Sequence, residues 1–269
     1  MSNNVLSRRD FLVKSICSAA IACVPNLLVR TKAYARACPY DKKFTGHSPS
    51  IALIIDDVGF SFDRVMPFLQ LNIPLTFSVL PHLPYSKPLA EKIHDLGHEV
   101  MLHQPMEPHN VFIDPGPGAL FMSYKPDTIA SVIERNITSI PHAIGCNNHM
   151  GSRYTESRTM MRPTLEFIKE RHLFFVDSLT SERSIGFDTA KSLQMNAAIR
   201  NVFIDNVREK NYVYAQLLLL KKFALRSGAA IGIGHPRPET VAAIKKFLPE
   251  LNGTGVALTY VSRLAAATS

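Results

Sequence analysis

The stretch Ile51-Ala52-Leu53-Ile54-Ile55-Asp56-Asp57-Val58-Gly59 decides how this 269-residue chain is read. Five aliphatic residues without a polar break fit a strand covered on both faces, as in a parallel sheet flanked by helices. The two carboxylates then fall where the strand turns into a loop. Neighbouring side chains at a strand end diverge, so one carboxylate can bind a metal while the other handles a proton. A turn or a helix N-cap is the plainer use of the same pair.

The pattern repeats outward from this stretch. Aliphatic runs at 75–80, 99–102, 143–146, 173–176, 199–204 and 229–233 read as strands, and 255–260 reads as a closing one. Helical patterns at 61–71, 86–96, 127–139, 157–171, 188–196, 209–226 and 238–248 alternate with them, Pro126 opening one helix and Gly97 stopping another. Seven or eight βα units without an internal repeat predict an α/β fold, most simply a (β/α) barrel of seven or eight parallel strands, with an open doubly wound sheet as the other architecture. Residues 103–125, rich in proline and glycine, lack periodicity and read as a functional loop or lid.

Six of the runs end in residues capable of chemistry: Asp56-Asp57, His103, Asn148-His149, Asp177, Asp205 and His235. In a parallel α/β fold such residues gather at the C-terminal rim of the sheet, which predicts one polar cluster centred on a metal. A neutral imidazole at the rim suits zinc, so His103 is a candidate ligand and His149 the natural third one. Glu107 lies four residues beyond His103, but Pro105 and Pro108 argue against a helix there, which leaves Glu107 to orient the histidine. Asn147 and Asn148 either bond substrate or hold their loop. His235, off the metal, is placed to protonate a leaving group. Asp177 and Asp205 orient histidines or cap helices, capping being the commoner role. His98 precedes its strand and reads as structural.

The first 35 residues read as an export signal: Ser7-Arg8-Arg9-Asp10-Phe11-Leu12-Val13-Lys14 is twin-arginine-like, residues 15–29 are apolar, and Ala33-Tyr34-Ala35 supplies a cleavage site. Pro25, Asn26 and the short apolar length argue against a membrane span, and lipidation at Cys23 is the lesser alternative. A polar tail over 36–50 leads into one domain over 51–269. The expected location is periplasmic or otherwise exported.

The whole chain carries 30 Lys plus Arg against 22 Asp plus Glu; setting aside five bases and one acid in the signal leaves 25 against 21. That balance, without a basic stripe interleaved with aromatics, excludes nucleic acid as the expected partner. Outside the signal only Cys38 and Cys146 remain, too few for a disulfide framework; a single bridge between them and a buried Cys146 beside an exposed Cys38 both stay open.

Five ordered motifs carry a resemblance: Ile54-Ile55-Asp56-Asp57-Val58-Gly59, Leu102-His103-Gln104-Pro105-Met106-Glu107-Pro108, Asn147-Asn148-His149-Met150-Gly151-Ser152, Phe175-Val176-Asp177-Ser178 and Ile233-Gly234-His235-Pro236. Spread over residues 51–264, they resemble the divergent polysaccharide deacetylase (YibQ-like) family. The resemblance implies a distorted, seven-stranded (β/α) barrel and hydrolysis of acetyl groups on an envelope or extracellular glycan with a divalent metal, zinc first. It implies Asp56 as general base, Asp57 and His103 as ligands and His235 as acid. His103 matches the first histidine of the deacetylase His-x-x-x-His motif, but Glu107 stands at the second, so His149 and Glu107 compete for the third coordination position. The chain has no tryptophan, which typical deacetylases use to line the substrate groove. A non-catalytic envelope protein that keeps the pocket to bind a glycan or a partner protein is the other class.

Overall fold

The computed structural model describes residues 48–266. The export signal, most of the polar tail, the lipidation alternative at Cys23, and Cys38 lie outside the described residues. In chain order the elements are β1 (Ser50–Val58), α1 (Phe62–Leu69), β2 (Thr76–Val79), α2 (Ser86–Asp95), β3 (Glu99–Met106), α3 (Pro126–Ser139), β4 (Ala143–Met150), α4 (Arg158–Glu170), β5 (Phe174–Asp177), α5 (Gly186–Ser192), β6 (Ala197–Ile199), β7 (Val202–Phe203), α6 (Lys210–Ser227), β8 (Ala229–Gly234), α7 (Pro238–Phe247), β9 (Ala257–Thr259) and α8 (Val261–Ala266). Short 3-10 turns precede α4 and follow α7.

The sheet runs β6-β5-β4-β3-β2-β1-β8-β7 and the pairings between its strands are parallel. Its two edges, β6 and β7, are separated in the chain only by Arg200 and Asn201. The N–H of Arg200 donates to the carbonyl of Asp177 on one side (3.0 Å), and that of Asn201 to Ile231 on the other (2.9 Å). The single strand expected over 199–204 is therefore a broken one that pairs first with β5 and then with β8. It draws the two edges of the curled sheet together, which a doubly wound sheet would hold apart, and the architecture is a distorted (β/α) barrel.

Strand alternation separates two apolar layers. Ile51, Leu53 and Ile55 of β1, Leu102 of β3, Cys146 of β4 and Phe175 of β5 pack outward under the helices. Ala52, Ile54, Met101, Phe174, Val176, Ala198, Ala229, Ile231 and Ile233 face inward and fill the barrel. Val261, Leu264 and Ala265 of α8 join that inner layer. β9 pairs with Ser50, Ile51 and Ala52 at the start of β1, and the N–H of Val261 and Ser262 donate to Thr76 and Glu99 at the starts of β2 and β3. The closing strand of the sequence reading thus belongs to a strand-and-helix plug at the N-terminal end of the barrel. Polar chemistry is left the opposite, C-terminal mouth.

Candidate metal centre

Inward parity carries β1 from Ala52 and Ile54 to Asp56, which is buried. Regular alternation would send the next side chain outward. Instead Asp57 adopts a left-handed backbone (φ 58°) and the register with β2 slips between Ile55 and Val58. A non-glycine residue rarely takes this conformation, and it turns the second carboxylate toward the mouth as well. Gly59 follows at φ 135°, and a Cβ there would lie 2.9 Å from the Ser86 hydroxyl. Asp56 and Asp57 therefore share one site although neighbours on a strand diverge.

The same parity delivers His103 from β3 and Asn147 and His149 from β4. Asn147 organises the group. Its amide nitrogen donates to Asp56 Oδ1 (2.9 Å) and Ser178 Oγ (3.2 Å), which fixes its carbonyl oxygen toward His103 Nδ1 at 2.7 Å. That oxygen only accepts, so His103 carries its proton on Nδ1 and turns Nε2 into the mouth. His103 Nε2 lies 3.3 Å from Asp57 Oδ1, 3.7 Å from Asp56 Oδ2 and 3.1 Å from His149 Nδ1, which is itself 3.0 Å from Asp57 Oδ1.

Asp57, His103 and His149 thus present one donor atom each, all within 4.8 Å of one another. Asp57 Oδ1 is buried without an aligned hydrogen-bond donor. Burial raises the Asp57 pKa, but the two neighbouring imidazoles outweigh it and hold the carboxyl well below the usual range. Burial likewise depresses His103, and the charge of Asp56 with the contact to Asp57 reverses that into a raised pKa. A buried oxygen without an aligned donor and a pair of carboxylates that favour positive charge fit a divalent cation held by one oxygen and two nitrogens.

His235 follows β8 on the inward parity of Ile231 and Ile233. Its Nδ1 lies 2.8 Å from Asp205 Oδ1, and its backbone N–H and the Thr240 hydroxyl both donate to Asp205 Oδ2 at 2.7 Å. Nε2 faces Asp57 Oδ2 at 3.7 Å. Burial lowers the His235 pKa, but the Asp205 bond and the charges of Asp205, Asp57 and Asp56 raise it overall. Asp205 thus orients a histidine, the less common of the two roles open to it.

Asp177 has the outward parity of Phe175 and accepts from the N–H of Leu179 and Phe187 and from the Ser184 hydroxyl, so it ties down the start of α5. Asn148 accepts from the N–H of Ser178 and donates to the carbonyl of Met150, holding its loop. Glu107 accepts from Arg153 Nη1 (2.6 Å) and from the N–H of Met122 (2.7 Å), which anchors the loop before α3. It lies outside the donor cluster. His98 packs edge-on against Phe77 at the other end of the sheet.

Two contributions escape sequence reading: the part Asn147 plays in setting His103 and Asp56, and Arg200 altogether. Asn147 is distinguished from Asn148 only by strand parity. Arg200 sits in the barrel seam, donating to the carbonyls of Ser178 and Leu179. Burial draws its pKa down to about 10 against the opposing charges of Asp177 and Asp56.

A family model described as divergent polysaccharide deacetylase matches residues 53–265. The chain is 29% identical over 204 residues to the uncharacterized protein YibQ of Escherichia coli K12, covering 75% of this chain and 63% of YibQ. Among solved structures, an uncharacterized protein of Agrobacterium tumefaciens C58 superposes with a TM-score of 0.77 at 24% identity, over 84% of this chain and 93% of that one. A family 4 carbohydrate esterase of Streptomyces lividans, solved with acetate, superposes with a TM-score of 0.51 at 16% identity, over 79% and 93%.

Proposed function

The chain belongs to the divergent polysaccharide deacetylase family, and from that premise we propose that it hydrolyses N- or O-acetyl groups on an envelope or extracellular glycan. The observation that carries this reading is the flanking of the Asp57, His103 and His149 donors by two proton-handling groups, Asp56 and the Asp205-bound His235. Binding alone requires neither.

Asp57, His103 and His149 would hold the ion, with zinc proposed from the nitrogen and oxygen donor set. Zinc or a similar ion, when bound there, lowers the pKa of a coordinated water and polarises an acyl carbonyl. Asp56 takes the proton of the attacking water, with Asn147 fixing its carboxylate. His235 donates from Nε2 to the departing amine or alkoxide while Asp205 holds its Nδ1. The twin-arginine-like signal supports action outside the cytoplasmic membrane. No helix among the described residues is long and apolar enough to cross a membrane.

The test is acetate release from a panel of acetylated glycans by the purified protein, before and after chelation and after restoring zinc. Chelator-sensitive release restored by zinc is expected. Glycan binding without release from any member would replace the hydrolase with the binding protein.

A further inference from the structure

Beside Asp57 and His235 opens a groove of about 160 Å³, and three arginines line it: Arg64 from α1, Arg208 from the segment before α6, and Arg237 from the loop after β8. Arg237 is tied down, its Nη1 donating to the Asp205 carbonyl at 2.6 Å and lying 3.7 Å from Asp205 Oδ1, so part of its charge is already paired. Arg64 and Arg208 are exposed and make no ion pair among the described residues. Among carboxylates only Asp57 of the donor cluster lines the groove; Asp63 and Glu209, adjacent in sequence to the two unpaired arginines, do not. Phe60 lines it too, and it is 59% exposed on the loop that Gly59 fixes.

We propose that this groove binds an anionic substituent, carboxylate or phosphate, on the sugar that carries the acetyl group or on its neighbour. The proposal rests on the deacetylase reading of the adjoining site. Guanidinium groups match both anions with paired N–H donors, and two unpaired ones beside the reacting centre, with Arg237 behind them, are poorly suited to a neutral sugar. Phe60 offers the ring a flat apolar face, in a chain without tryptophan.

Three oligosaccharides of equal length without acetyl groups test it by calorimetric titration into the purified protein: a neutral one, one bearing a uronate and one bearing a sugar phosphate. At least one charged ligand binds about tenfold or more tightly than the neutral one, increasingly so at low salt. The double variant Arg64→Gln with Arg208→Gln loses that preference, and Arg64→Lys with Arg208→Lys keeps part of it. Equal binding of charged and neutral ligands, or a preference that survives in the glutamine double variant, overturns the proposal. Binding is read without turnover, so the two readings fail separately. A charge preference without acetate release sinks the deacetylase and leaves the site. Acetate release without a charge preference does the reverse.

Discussion

The two oxygens of Asp57 face surroundings built in different ways. On the Oδ1 side, His103 and His149 converge from adjacent strands, and Asn147 locks His103 to Asp56 in a net that is mostly closed to water. On the Oδ2 side a single half-open histidine stands 3.7 Å away, steered by an aspartate from the barrel seam. The first arrangement fixes lone pairs and suits a resident ion. The second leaves one nitrogen free to exchange a proton. Fixed donors and a responsive acid are thus divided across one carboxylate.

Substitution on each side is the strongest way to break this division. Asp57→Ala and His103→Ala are expected to abolish metal retention and, with it, activity. His235→Ala retains the metal but loses roughly 10²–10⁴ in turnover, the usual range for a positioned acid. Metal content after dialysis, measured beside acetate release, separates the two. Release of the ion by His235→Ala alone would show that the two sides are not divided.

Asn147→Leu probes the closed side more gently. It removes the acceptor that sets the His103 tautomer and one donor to Asp56. Metal affinity is expected to fall by about 10–100-fold, as for other partners that orient a ligand. The stranded Asp56 oxygen costs about 1–3 kcal/mol of stability. Wild-type zinc affinity in this variant would show that Asn147 does not position His103.

Much of this was legible because the barrel is built from strands whose ends are written plainly in the chain. The aliphatic runs predict the strands, and their terminal residues predict the rim. What a list of rim residues lacks is parity. Counting inward from Ile54 reaches Asp56, from Met101 His103, and from Ile231 His235, whereas Phe175 leads outward to Asp177. Parity also separates Asn147 from Asn148, and was available in principle once the strand register was known. Two features were not. The turn of Asp57 into the site depends on a left-handed backbone and a register slip that local composition does not announce. The role of Asp205 depends on closure at Arg200 and Asn201, a tertiary event that brings it within 2.8 Å of His235 across 30 residues. Glu107 illustrates the converse: its spacing from His103 is suggestive, but both oxygens are taken by Arg153 and Met122.

The smallest effect belongs to the open side and sharpens the contrast by sign. Asp205 raises the His235 pKa against burial, so His235 stays protonated to higher pH than a free imidazole. An acid must carry its proton, and turnover therefore falls as pH rises through that raised pKa. Asp205→Asn removes the charge, and the alkaline fall should begin at lower pH, with only a few-fold loss on the acidic side, where His235 is protonated in both proteins. The same linkage acts on stability. The contribution from the raised His235 pKa is fully present below the unfolded imidazole value of 6.5 and is lost as pH rises through the folded one. Melting temperature followed against pH should therefore drop across that interval in the wild type and flatten in Asp205→Asn. A Gln substitution at Glu107, which lies outside the donor cluster, should leave this pH profile in place. If Asp205→Asn lowers turnover equally at every pH, Asp205 holds the ring by geometry alone, and the open side is as rigid as the closed one.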